Sequence, residues 1–141
     1  MNLLKHITTS IAIVCLSAIL AGCGGSSDTP EGVVQKQINA MKKWDTKTLT
    51  VITDLDDSRA KEFVGKLASI PEEQKKDLMT AAEYMKIVSS EIKGKDAIVV
   101  IWTPDTVLWS PNRGHNRINF EELREKKIFL ENKNGKWLIQ W

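Results

Sequence analysis

Cysteine, histidine and tyrosine are scarce in this chain, which has two, two and one of them in 141 residues. Neither sign of charge dominates, because 20 Lys and Arg face 18 Asp and Glu and leave a formal net charge of +2. Such a balance lacks the concentrated basic excess with which proteins bind nucleic acid through phosphates. With 42% hydrophobic residues, the composition also excludes collagen-like, mucin-like, coiled-coil and broadly disordered chains. We therefore expect a globular protein that does not bind nucleic acid.

Long hydrophobic runs are also missing, apart from a short one near the amino terminus. The run from Ile7 to Leu20 has 14 positions and follows a basic start at Lys5. A spanning helix needs about 20 apolar residues, and no basic stop-transfer cluster follows this run. Residues 1–22 are therefore predicted to be a cleaved signal peptide.

The end of that segment carries a recognisable motif. Leu20-Ala21-Gly22-Cys23 resembles the lipobox of bacterial lipoproteins. The resemblance implies that the chain is cut before Cys23 and that Cys23 is acylated, which leaves 119 residues and places the protein in the bacterial cell envelope. The alternative is an ordinary signal peptide that ends in cysteine. Gly24, in place of Asp, implies the outer membrane facing the periplasm in a Gram-negative source, or the outer face of the plasma membrane in a Gram-positive one.

Residues 23–29 are predicted to be the lipidated cysteine and a flexible tether, because the segment after Cys23 is rich in Gly and Ser. Two or more acyl chains hold a protein stably at a bilayer. Six tether residues reach at most about 20 Å, so the domain is expected close to the membrane surface. Cleavage leaves 19 basic and 18 acidic side chains. The partner of this segment is thus predicted to be the membrane, through the lipid rather than through charge.

The first half of the remaining chain has helical patterns. Thr29-Pro30 is a helix start before a stripe that runs to Lys43, and a short helix is predicted over Thr46 to Ile52. The acids of 54–58 resemble a calcium loop, but the required glycine and distal glutamate are absent, so they are interpreted as an N-cap. Another helix is predicted from Pro71, with Leu78, Ala81 and Ala82 facing inward.

The second half has the alternation of strands. Four strands are predicted, over Met85 to Ile92, Ala97 to Thr103, Leu123 to Glu131, and Trp137 to Trp141. Asn134-Gly135 is a strong hairpin signal, 110–117 is predicted to be a polar loop, and 112–122 is longer than a simple hairpin turn. Trp137, Ile139 and Trp141 share one face of the last strand, so all three are expected in the core. Residues 30–141 are thus predicted to be one α+β domain, with N-terminal helices packed on an antiparallel sheet.

Two segments carry a resemblance to a known superfamily. The helix over 33–45 and the closing strand Asn134-Gly-Lys-Trp-Leu-Ile-Gln-Trp141 resemble small lipoprotein domains of unknown function in the nuclear transport factor 2-like superfamily. The resemblance implies a cone, in which a curved antiparallel sheet wraps helices around a pocket. This architecture is shared by enzymes, binding modules and dimerising adaptors, so it does not convey a function.

Catalytic residues are few. His115 is the histidine left after cleavage, and from its place between Arg113 and Arg117 we expect a lowered pKa. No Gly-x-Ser-x-Gly elbow or metal-ligand spacing is present, so we expect no enzyme activity, metal or cofactor. The loop bases, with Lys126 and Lys127, form either a patch for anionic lipid or phosphate or, since three glutamates adjoin them, a solvated surface.

The candidate ligand-binding residues are three aromatic residues and one acid: Trp109, Trp102, Tyr84 and Asp105. Trp109 lies between two prolines in a loop, which is typical of a pocket mouth or an interface. The leading hypothesis is a non-enzymatic, membrane-anchored module that binds a small apolar ligand or an envelope protein. The alternatives are an isomerase or dehydratase that uses Asp105, and a structural module that forms a homodimer through its sheet.

Overall fold

The computed structural model describes residues 29–105 and 118–141. These residues form four helices followed by four strands: α1 (Pro30–Lys43), α2 (Thr46–Val51), α3 (Asp57–Ala68), α4 (Glu72–Tyr84), β1 (Lys86–Lys93), β2 (Asp96–Asp105), β3 (Asn119–Lys133) and β4 (Lys136–Ile139). The predicted α+β class is confirmed. Cys23, the signal segment, Trp109 and the bases of the 113–117 loop lie outside the described residues.

The helices begin at the predicted capping residues. The Thr29 hydroxyl accepts a hydrogen bond from the Gly32 amide at 3.1 Å, directly before Pro30 at the start of α1. The Asp56 carboxylate accepts from the Arg59 amide at 2.8 Å, so the interpretation of the acidic cluster as an N-cap is confirmed. Each bond satisfies an amide that a helix start otherwise leaves unpaired. Within the described ranges, no helix is long and apolar enough to cross a membrane.

The strands form one antiparallel sheet in the order β1-β2-β3-β4. The predicted Asn134-Gly135 hairpin joins β3 to β4, and both residues have positive φ, 55° and 83°. A bulge at Val88 interrupts the pairing of β1 with β2. Residues that pair across the ladders share a face, so each strand presents alternate residues to the helices. We call the face that packs on the helices the inner face, and the opposite one the outer face.

The core lies between α1 and the inner face. Val33, Val34 and Ile38 of α1 pack on a set of buried sheet residues: Ala97, Val99, Ile101, Ile128, Leu130, Trp137 and Ile139. Ala81 and Ala82 of α4 are fully buried, as predicted. Every residue of this core cluster lies between Val33 and Ile139. The described core cluster therefore lies entirely after the segment that is predicted to be removed.

The segment after α2 closes the far edge of β4. The Ile139 amide donates to the Ile52 carbonyl at 2.9 Å, and the Asp54 amide donates to the Ile139 carbonyl at 2.7 Å. The Asp54 carboxylate also accepts from Lys133 Nζ at 2.6 Å and from Gln140 Nε2 at 3.2 Å. These bonds join the helical half of the domain to the last hairpin and cover an edge that would otherwise be open.

Two expectations for the carboxyl-terminal half are wrong. β3 begins at Asn119, so 119–122, placed before the predicted strand, are strand: Asn119 pairs with Asp105, and 120–122 lie at an irregularity before Leu123 pairs with Pro104. Glu121 and Glu122 are both exposed, so this part of β3 lacks the alternation of a half-buried strand. Trp141 is not in the core: it is 52% exposed, and its ring packs edge-on against Phe63 of α3 at 5.3 Å.

Candidate functional site

A groove of about 370 Å³ lies between α1, α4 and the inner face of the sheet. Its walls are mainly apolar: Met41, Leu78, Met85, Ile101, Ile118, Ile128 and Ile139 line it, with Trp141 beside them. Polar groups come from Gln37, Gln74, Asp77, Thr103, Lys126 and Gln140. An apolar concavity with a few polar groups is the usual form of a small-molecule site.

The periodicity of each element places these side chains in the groove. Gln37 and Met41 are four residues apart on α1, and Gln74 and Leu78 are four apart on α4, so each pair lies on one helix face. On the sheet, Ile101 pairs with Lys126 across the ladder from β2 to β3. The core continues directly into the groove, because Val99 and Ile128, the preceding pair, are both buried.

Two charged side chains of opposite sign line the groove. Asp77 lies on α4, and Lys126 lies on the inner face of β3. Among the described residues, neither has an oppositely charged group within 4.0 Å. Lys127 also borders the groove, but strand alternation places its side chain on the outer face, opposite Val100. Charge is therefore present at the groove without being neutralised by a described neighbour.

The groups with shifted pKa values lie outside the groove. A hydrogen bond from Lys133 lowers the pKa of Asp54, and the hydroxyl of Thr48 lowers that of Asp45. The Arg59 amide lowers the pKa of Asp56, and the Glu131 carboxylate raises that of Lys95. These shifts come from caps and surface ion pairs, which stabilise the fold. Within 29–105 and 118–141, no group of three His, Cys, Asp or Glu side chains could hold a metal ion.

The structure does not bring the predicted ligand-binding residues together in the groove. Trp102 lies on the outer face of β2 and is 45% exposed. Tyr84 ends α4, with its ring centroid 5.6 Å from that of Phe120. Asp105 ends β2, and its carboxylate forms an ion pair with Arg124 Nη2 at 3.2 Å. Trp109 lies outside the described residues.

The sequence interpretation singled out Lys126 and Lys127 as part of a basic patch, but the apolar lining residues escaped it because they have the same character as core residues. Met41, Leu78 and Ile101 are ordinary apolar members of their stripes, and only the tertiary arrangement leaves space beside them. The polar residues next to those stripes were the available signal. Gln37 and Gln74 each lie one helical turn from an apolar groove residue, on a face that otherwise packs inward.

Comparisons with known proteins identify a fold. No family model matches the chain, and no curated protein matches it. The solution structure of a SEC-C motif containing protein from Rhodopseudomonas palustris is 14% identical to this chain, with a TM-score of 0.49. The match covers 82% of this chain and 78% of the Rhodopseudomonas palustris chain. A crystal structure from Campylobacter jejuni, provisionally described as an NTF2-like transpeptidase, is 17% identical with a TM-score of 0.50 and covers 80% of this chain and 99% of its own. The described domain has a nuclear transport factor 2-like fold.

Proposed function

We propose that this protein is a non-enzymatic, membrane-anchored lipoprotein of the bacterial envelope that binds a small apolar ligand in the groove. The observation that carries the binding role is the groove itself, with its volume of about 370 Å³ and its largely apolar lining. Small-molecule sites usually have volumes of about 300 to 1,000 Å³. The groove therefore has the size and chemistry of a site for a small ligand.

The apolar walls supply the affinity in this proposal. Each methylene that leaves water for an apolar environment contributes about 0.8 kcal/mol. Met41 and Leu78 form the helical side of the groove, and Ile101 and Ile128 the sheet side. A ligand between them exchanges water for side-chain contacts on both sides. The resemblance to the nuclear transport factor 2-like superfamily supports this arrangement, since it implies a cone with a pocket between helices and sheet.

The polar groups near the groove favour binding over catalysis. Asp105, the acid of the alternative isomerase or dehydratase, pairs with Arg124 and does not line the groove. Among the described lining residues, Thr103 carries the one hydroxyl group, and this hydroxyl donates a hydrogen bond to the Pro104 carbonyl at 3.3 Å. The transpeptidase description belongs to the Campylobacter jejuni protein. For this chain, the described groove residues suit recognition better than acyl transfer.

Calorimetric titration of residues 24–141 with decan-1-ol tests the binding role. The wild-type domain should bind this uncharged probe, and Leu78→Gln should weaken binding about tenfold, because it places an amide in the apolar wall. Leu67→Gln is the matched control, since Leu67 is also half-buried but lies on α3 outside the lining. Absence of binding to folded wild-type protein, or equal weakening in both variants, would overturn the proposal.

The lipid anchor is proposed from the Leu20-Ala21-Gly22-Cys23 motif. In bacteria that are fed a labelled fatty acid, the full chain should incorporate label. Cys23→Ala should abolish the label, whereas Cys15→Ala should retain it, because Cys15 lies within the segment to be removed. Label that survives Cys23→Ala would refute the anchor. Fractionation of the same cells tests the envelope location.

A second candidate function, homodimerisation through the sheet, is favoured by the outer face. Trp102 and Phe129 lie on it, 45% and 54% exposed, and Val100 and Ile98 lie between them. Glu125 and Lys127 share this face, so a two-fold axis can set the acid of one copy against the base of the other. Such a face suits a second copy of the chain.

Sedimentation velocity of residues 24–141 tests the dimer. The wild-type domain should sediment as a dimer and Phe129→Lys as a monomer. Dimer formation would bury the lysine ammonium at the apolar centre of the interface, where its lost hydration is not replaced by an oppositely charged partner. Val64→Lys replaces a similarly exposed residue on α3, 45% against 54% for Phe129, and should leave the dimer intact. A monomeric wild type at the concentrations tested would contradict this function.

A further inference from the structure

The position of Lys126 points to the chemical class of the ligand. Its pairing partner, Ile101, is 2% exposed and belongs to the core, so the lysine occupies the place where the inner face passes from core to groove. The lysine itself is exposed and lines the groove. Its aliphatic stem can lie along apolar surface while the ammonium group reaches water or a ligand.

We propose that the groove binds a single-chain carboxylate amphiphile, with the apolar chain between helices and sheet and the carboxylate at Lys126. The inference rests on the proposed binding function and adds the charge and orientation of the ligand. Apolar walls on both sides fit the chain, and an ammonium group without a described ionic partner fits the head. A carboxylate accepts charge-assisted hydrogen bonds from lysine, which are stronger than bonds between neutral groups.

Asp77 sets the direction in which such a ligand would lie. It lines the helical side of the groove, whereas Lys126 lines the sheet side, and the two are more than 4.0 Å apart. An anionic head is repelled from α4 and attracted to β3. Gln37 and Gln74 add amide groups to the helical side without adding charge. The sheet side is therefore the cationic end of the site.

Three probes with the same ten-carbon chain separate the contribution of the head from that of the chain. Decanoate, decan-1-ol and decylamine carry a negative, a neutral and a positive head at pH 7.5. We expect folded residues 24–141 to bind decanoate about fivefold to tenfold more tightly than decan-1-ol, and decylamine no more tightly than decan-1-ol. Titration calorimetry measures the three affinities, below the micelle concentrations of the two charged probes and below the solubility limit of decan-1-ol.

Lys126→Gln should remove the preference for decanoate over decan-1-ol, measured as the ratio of the two affinities. Lys36→Gln is the matched control, because it removes the same charge from an exposed position of α1 that does not line the groove. This variant should keep the preference. Circular dichroism confirms that each variant is folded, and the exposure of both lysines makes unfolding of either variant unexpected.

The outcomes distinguish failure of the inference from failure of the binding function. If decan-1-ol binds and decanoate binds no more tightly, the carboxylate inference is overturned and the binding function stands. Tighter binding of decylamine than of decanoate also overturns it, because Asp77 would then determine the head group. If none of the three probes binds, the proposed function itself is overturned. Equal loss of the preference in Lys126→Gln and Lys36→Gln would show general attraction of charge and refute a head-group site.

Discussion

Lys126 lies directly opposite Ile101 in the ladder between β3 and β2, so a charged side chain shares the inner face with one of the core residues. The preceding pair, Val99 and Ile128, is closed over by the helices. Ile101, Ile128 and Ile139 belong both to the core cluster and to the groove lining, whereas Val99 and Leu130 belong to the core alone. Met41, Leu78 and Lys126 line the groove without belonging to the core cluster. Stability and binding are therefore separable by mutation at the residues that serve only one of the two.

Leu130 tests where the core lies. It is almost fully buried on β3, so Leu130→Ala should lower the free energy of unfolding by about 2 to 5 kcal/mol, through lost burial and the cavity left behind. Val64→Ala shortens an exposed side chain on α3 and should change it by less than about 0.5 kcal/mol. Urea denaturation measures both values. Similar losses in the two variants would place the core elsewhere.

Two glycines should respond to the same substitution with opposite signs. Gly65 lies within α3 with open space around it, so Gly65→Ala should stabilise the domain by about 0.5 to 1 kcal/mol. Gly135 has a φ of +83° in the β3–β4 hairpin, so Gly135→Ala should destabilise it by about 1 to 2 kcal/mol. Thermal unfolding compares them directly. A stabilised Gly135→Ala variant would contradict the hairpin geometry.

The contact between Trp141 and Phe63 should control the stability of α3. This helix has no fully buried residue, and the Trp141 ring also lies 4.6 Å from Lys66 Nζ. Trp141→Ala removes an edge-to-face contact of about 1 kcal/mol and should speed amide exchange in α3. Trp102→Ala, a similarly exposed tryptophan on the outer face, should not. Hydrogen-exchange mass spectrometry decides between them, and unchanged exchange in Trp141→Ala would refute the role of the contact.

Asp54 should make stability depend on pH in the acid range. Its pKa is lowered, mainly by the hydrogen bond from Lys133, so its stabilising effect is complete above the ordinary aspartate pKa of about 3.9 and is lost as pH falls through the lower folded pKa. Wild-type stability should therefore fall below about pH 4. Asp54→Asn should show a shallower fall, measured by urea denaturation at several pH values. An unchanged slope in the variant would contradict this linkage.

Local sequence signals predicted the elements, and tertiary packing determined the groove. Thr29, Asp56 and Asn134-Gly135 marked helix starts and a hairpin because caps and turns depend on residues a few positions apart. The charged start of β3 could not be recognised, since a strand exposed on both faces has no alternation. The groove depends on how far α4 lies from β2, which no local pattern encodes.

Aromatic residues were misleading guides to the site for a related reason. Trp102 was singled out as a large aromatic residue. Side chains alternate between the two faces of a strand, and Trp102 lies on the outer face, whereas the helices and the groove lie on the inner face. Trp141 was assigned to the core by the same alternation, which ends with β4 at Ile139. Beyond that residue the chain turns to α3, and strand periodicity no longer applies.

Methyl-resolved NMR of residues 24–141 titrated with decanoate tests the central claim most directly, since it reports which surface the amphiphile contacts. The methyl signals of Met41, Leu78, Ile101 and Ile128 should shift together and saturate with a single affinity, while those of Val64 and Val88 stay in place. Saturable shifts at Val88 or at the outer-face residues Ile98 and Val100, with the groove methyls unmoved, would contradict the account.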